Sequence, residues 1–146
     1  MAKDGKHVIH AGGVFPNPLL NREGRATAVK PGTLGFFDAG VFKVSVDGSE
    51  TAIIYVADFD YLRCKTVDDT FAVDDLLVGI HPLPGMFLNV RAAAGTYKKG
   101  DALSIVNGQV KKWATGENDR CYCDEERSIT AAAGDLIPRS DQVRSH

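Results

Sequence analysis

The stretch TYKKGDALSIVNGQVKKW, residues 96–113, decides the fold class. Lys99-Gly100-Asp101 reads as a turn, and residues 102–106 form a short apolar run with the length of a strand. Asn107-Gly108 then supplies the pair that a two-residue hairpin loop favours, because a type I′ turn needs positive φ at both central positions. Residues 109–113 form the returning strand. The opening turn is echoed elsewhere: Phe71-Ala-Val-Asp-Asp75-Leu-Leu, Tyr97-Lys-Lys-Gly-Asp101-Ala-Leu and Ala131-Ala-Ala-Gly-Asp135-Leu-Ile share one grammar. In each, Gly or Asp stands where a left-handed residue fits, and the next Asp (Asp75, Asp101, Asp135) can accept a backbone N–H across the turn. Gly100, Asn107, Gly108 and Gly134 complete this set of turn-defining residues. The spacings between the three are unequal, which excludes a solenoid of short repeats.

Outward from that hairpin the chain continues as short strands with turn signals every ten or so residues. Residues 41–46 alternate as a half-buried strand, and after Asp47-Gly48 the β-branched run 51–56 reads as its hairpin partner. Residues 31–40 read as turn-rich. Residues 76–81 and 86–92 are two further strands around Pro82-Leu-Pro-Gly85. Residues 120–123, 128–133 and 134–137 close the pattern, and residues 59–67 could add one more short strand. The best helix candidates are short, residues 68–74 or part of 119–133, and no stretch holds a 3.6-residue period for three turns. The expectation is an all-β fold, a small β-barrel or β-sandwich with little helix, occupying residues 31–138.

Residues 1–30 carry Gly5, Gly12, Gly13, Pro16, Pro18 and Gly24 yet also apolar side chains: Val8, Ile9, Val14, Phe15, Leu19 and Leu20. Prolines two apart suit extended chain. The segment therefore reads as a long N-terminal arm lying on its own domain or on a neighbour, with Val8, Ile9, Val14, Phe15, Pro16, Leu19 and Leu20 as its contact residues. Residues 139–146 read as a polar tail.

Composition narrows the function classes. The 146 residues are 44% hydrophobic and 25% charged, with formal net charge −2. One domain with a real core is expected. No basic stripe recommends nucleic acid as a partner. No apolar run approaches the ~20 residues of a membrane-spanning helix, and residues 1–13 do not read as a signal peptide. The chain is thus expected in the cytoplasm unless it is packaged. Cys64, Cys121 and Cys123 are an odd count; Cys121-Tyr-Cys123 could point two thiols at one ion from a strand, but no second ligand pair stands near. No metal and no cofactor are expected.

Chemistry-bearing constellations are weak. Asp58/Asp60, Asp68/Asp69, Asp74/Asp75 and Glu125/Glu126 are neighbouring acids of the kind that build turns, whereas acid–base catalysis needs two carboxyls in different environments. Cys64, His81 and an Asp form no local triad, and no glycine pattern cradles a phosphate. Phe36, Phe37 and Trp113 remain as candidate interface aromatics.

Taken together, Phe71-x-x-Asp-Asp75 before a strand, Asn89-Val-Arg-Ala92, Tyr97-Lys-Lys-Gly-Asp101, the Asn107-Gly108 hairpin and the alanine-rich lead into Gly134-Asp135-Leu-Ile-Pro138 give residues 66–138 a resemblance to the capsid decoration, or cement, proteins of tailed bacteriophages. The resemblance implies a β-tulip-like domain, commonly a homotrimer, bound to the major capsid protein on the outer surface of the virion where shell subunits meet, with an N-terminal arm that reaches the capsid. It implies no catalytic residue. After Pro138 the chain departs from the family pattern, because Arg139-Ser-Asp-Gln follows where an apolar strand residue or two is usual. The rival reading is a small oligomeric β-barrel enzyme or ligand-binding module of the cytoplasm.

Overall fold

A computed structural model describes residues 6–13, 21–117, 121–124 and 128–140. In chain order their strands are β1 (His10–Gly13), β2 (Asn21–Arg25), β3 (Leu34–Asp38), β4 (Val41–Val44), β5 (Tyr55–Ala57), β6 (Leu76–Ile80), β7 (Met86–Ala92), β8 (Gly95–Tyr97), β9 (Ala102–Val106), β10 (Gln109–Lys112), β11 (Cys121–Cys123), β12 (Ile129–Ala131) and β13 (Asp135–Ser140). The helical content of the described residues is one 3-10 turn, Tyr61–Arg63. The all-β, barrel-type architecture expected from the sequence is what forms.

The strands close two rings. The first is a barrel in the order β2-β4-β3-β5-β6. In the second, β7 pairs with β10, β10 with β9, β9 with β11, β11 with β13, and β13 returns to β7. β1 adds to the far edge of β7, antiparallel, and β8 with β12 forms a separate two-stranded ladder.

The two rings share one wiring. Each starts with a strand that meets the second hairpin strand by a single parallel bridge, Arg25↔Val41 in the first and Ala92↔Val110 in the second. Each closes with an antiparallel ladder of matching register. Asn21↔Ile80 through Arg25↔Leu76 in the first corresponds to Phe87↔Ser140 through Arg91↔Leu136 in the second. Loop hydrogen bonds match as well. The Gly32 N–H donates to Ala57 O at 2.8 Å, and the Gly100 N–H to Cys123 O at 2.9 Å. The Asp58 N–H donates to Val78 O at 2.9 Å, and the Asp124 N–H to Pro138 O at 3.0 Å. The Asp74 N–H donates to Ala26 O at 2.9 Å, and the Gly134 N–H to Ala92 O at 2.8 Å. The two rings thus follow one five-stranded plan in tandem.

A shared core joins the copies. Leu34, Val56 and Ile80 of the first ring pack with Leu88, Val90, Leu103, Ile105 and Ile137 of the second, and Ile9 is buried with them. A smaller cluster, Ala26, Phe42, Tyr55, Ala57, Phe71 and Leu77, fills the first ring alone. Each such aliphatic side chain contributes roughly 1.5–3 kcal/mol by leaving water. The β9–β10 hairpin ties the rings through its tip: the Gly108 N–H donates to Ser45 O at 2.7 Å, and Gly108 O accepts from the Leu34 N–H at 2.8 Å.

Several expectations are corrected. The described part of residues 1–30 is not an arm without elements of its own, because β1 extends the second ring's sheet and β2 closes the first ring. Ile9 has no exposed surface and belongs to this chain's core. The run 51–56 is not the hairpin partner of β4. Residues 51–53 are exposed, and only the next segment forms a strand, β5, which pairs with β3 and β6. The partner of β4 is β3, turned through Ala39 and Gly40 at φ of 51° and 76°. Residues 59–67 hold the 3-10 turn in place of a strand. No described residue of 68–74 or 119–133 is helical. β13 continues past the expected end of the domain at 138, and Arg139 and Ser140 are buried strand residues pairing with Leu88 and Phe87.

Candidate partner-binding surface

The three echoing motifs fold as one turn. The N–H of Ala72, Lys98 and Ala132 donates to Oδ2 of Asp75, Asp101 and Asp135, at 3.2, 3.0 and 2.9 Å. The Asp N–H in turn donates to the carbonyl of that same first residue, at 3.2, 3.1 and 3.1 Å. The intervening Asp74, Gly100 and Gly134 sit at φ of 68°, 88° and 88°. Two further turns use the same device. The Thr66 N–H donates to Asp69 Oδ2 at 2.7 Å, and the Ala114 N–H to Glu117 Oε1 at 2.7 Å. These acids are structural acceptors, which is a chemical reason for neighbouring carboxylates that involves no substrate.

The candidate contact residues of the N-terminal segment separate. Val8 is exposed and Ile9 is buried. Val14, Phe15, Pro16, Leu19 and Leu20 lie outside the described residues. Among the aromatics, Phe37 packs edge-on against Phe42 and Tyr55, with ring centroids 5.5 and 5.3 Å away. Its outer side carries the Arg22 guanidinium, 5.4 Å from the ring centre. It is a wall of the first barrel more than a free contact. Phe36 is half-buried. Trp113 is partly exposed, and its Nε1–H donates to Glu117 O at 2.7 Å, so the indole is already oriented by its own turn.

An apolar surface that the sequence did not single out lies around the 3-10 turn. Tyr61 and Leu62 are 61% and 75% exposed. Beside them a shallow cleft of about 30 Å³ is lined by Asp58, Phe59, Phe71, Leu76 and Val78 as well. The Asp58 carboxyl is pushed up to about 6 by burial, against the pull of the Phe59 N–H that donates to its Oδ1 at 2.9 Å. Arg63 brackets the patch with ion pairs to Asp60 at 3.0 Å and Asp75 at 3.4 Å. The signal for this patch was available in Tyr61-Leu62 between charged residues, but an apolar pair inside a strand-length segment reads as core.

Arg91 is a buried cation. Its Nε–H donates to Pro31 O at 2.8 Å and an Nη–H to Gly134 O at 2.9 Å; the other Nη bonds Val67 O and lies 3.8 Å from Asp68. It ties three loops together. Cys121 and Cys123 point into the core, and Cys64 is exposed at φ 58° after the 3-10 turn. Among the described residues no three His, Cys, Asp or Glu side chains gather as a metal-ligand group. His81 packs its ring 5.8 Å from that of Tyr55. No helix of the described residues is long and apolar enough to cross a membrane. No protein-family model and no curated protein matches the chain.

Proposed function

We propose that this chain is a structural virion protein that binds the outer surface of a tailed-phage capsid, as a homotrimer contacting the major capsid protein, and stabilises the shell where its subunits meet. The observation that carries the reading is the set of family-like motifs in residues 66–138, whose acids are turn acceptors. A cement protein needs no reacting group. It needs a rigid body, a contact surface and many copies, since symmetry multiplies a modest contact on each. The paired rings supply the rigid body, and the exposed Tyr61–Leu62 patch offers apolar contact area. The capsid and trimer statements rest on the resemblance.

The test is co-sedimentation of the purified full chain with expanded phage heads stripped of their own decoration. Saturable binding, with heads that survive a higher temperature before releasing DNA, is the expected result. Heads that pellet without the protein across micromolar concentrations contradict the reading.

A further inference from the structure

The duplication makes an internal comparison possible. Along β7 the edge turned away from β13 is covered: β1 lies antiparallel over Met86, Phe87 and Leu88, and the Asn89 N–H donates to Ile9 O at 2.8 Å. The stretch of β2 that matches Phe87, Leu88 and Asn89 is Asn21, Arg22 and Glu23. On its inner edge this stretch pairs with β6. On its outer edge no described strand pairs with it, and the sole bridge there comes later, at Arg25↔Val41. The Arg25 N–H points outward, to Gly40 O at 2.8 Å. By the alternation of an antiparallel ladder, the N–H and C=O of Glu23 and Asn21 point outward too. All three residues are exposed. An edge that no described strand covers is a template for another strand.

A second copy of β2 is a poor occupant. In the antiparallel register that uses the whole free stretch, Arg22 faces Arg22, and like charges directly opposite destabilise a pair. The edge asks for an extended segment with an acidic or small polar residue opposite Arg22. Resting on the capsid reading above, we propose that the outer edge of β2 takes an extended strand of the shell subunit, paired antiparallel as β1 is on β7.

Hydrogen–deuterium exchange of the full chain, free and bound to undecorated heads, tests this directly. The Glu23 amide should exchange rapidly in the free protein and slow at least tenfold on the head, while the inward amides of Arg22 and Gly24 are protected in both states. Glu23→Pro removes an outward N–H without touching the β6 ladder. It should weaken head binding at least tenfold at an unchanged melting temperature, whereas Glu23→Gln should bind as the natural chain does. If the chain binds heads but the Glu23 amide stays fast, or if Glu23→Pro folds and binds normally, the edge assignment is overturned and the capsid reading stands. If the natural chain does not bind heads, both fall.

Discussion

Arg91 and Arg25 are the same residue of the repeat in two environments, and they separate what burial does from what charge does. The Arg91 side chain is 6% exposed and holds three loop carbonyls; Arg25 is 60% exposed, 3.9 Å from an Asp74 that is more exposed still. Removing Arg91 strands the buried loop carbonyls it holds, so Arg91→Ala should cost about 3–5 kcal/mol. Arg25→Ala should cost about 1 kcal/mol or less, because an exposed pair is screened by water. Urea unfolding of the two variants measures the contrast; equal losses would contradict the assigned roles. Asp58 gives a pH signature at the same scale. Its folded pKa, about 6, lies above the ~3.9 of an unfolded aspartate, so the fold prefers the neutral acid. Its effect on stability is most favourable below about pH 4, declines as pH rises through about 6, and is flat above. Asp58→Asn should therefore gain on the natural chain as pH goes from 4 to 7.5, by a difference on the order of 2 kcal/mol. Parallel unfolding midpoints for the two proteins across that range would contradict this.

Among the elements, the β9–β10 hairpin was legible, with its return strand one residue shorter than expected, since Asn107-Gly108 states its turn in chain chemistry and φ is 46° and 78° there. What the local sequence did not carry is that the tip is also the joint between rings. A Cβ on Gly108 would meet Thr33 Cγ2 and Val44 Cγ1 at 2.7 Å, whereas one on Gly40, at nearly the same φ, would meet nothing within 4 Å. Gly40→Ala should cost about 1 kcal/mol of backbone strain, and Gly108→Ala about 2–4 kcal/mol, with overpacking added. Equal shifts in denaturation midpoint would show that the tip is not clamped. β3 was missed for a related reason. Gly35 reads as a breaker, but a Cβ there would strike Lys43 O at 2.2 Å, so the glycine is what lets β4 approach. Residues 51–53 misled in the opposite direction, because β-branched residues make a strand only where a neighbour pairs with them. β2 was hidden by its polarity. Asn-Arg-Glu-Gly-Arg carries no strand signal, and the backbone ladder to β6 holds it.

At the scale of the molecule, fold class was readable from strand spacing, but the duplication was not. Its trace is thin: Arg25-Ala26-Thr-Ala28 against Arg91-Ala92-Ala-Ala94, Lys30-Pro-Gly32 against Lys98-Lys-Gly100, and Pro16-Asn-Pro18 against Pro82-Leu-Pro84. Barrel wiring is held by backbone hydrogen bonds and by burial of any apolar side chain of suitable volume, so two copies can keep register while losing identity. The two rings present different surfaces. β1 covers one edge, no described strand covers the other, and the Tyr61–Leu62 patch lies in the first copy. Capsid binding can be seen directly by cryo-electron microscopy of heads incubated with the full chain. Density for the two linked rings is expected on the outside of the shell, three copies together, at positions where shell subunits meet. Empty outer surfaces at saturating protein, or density confined to the interior, would contradict it.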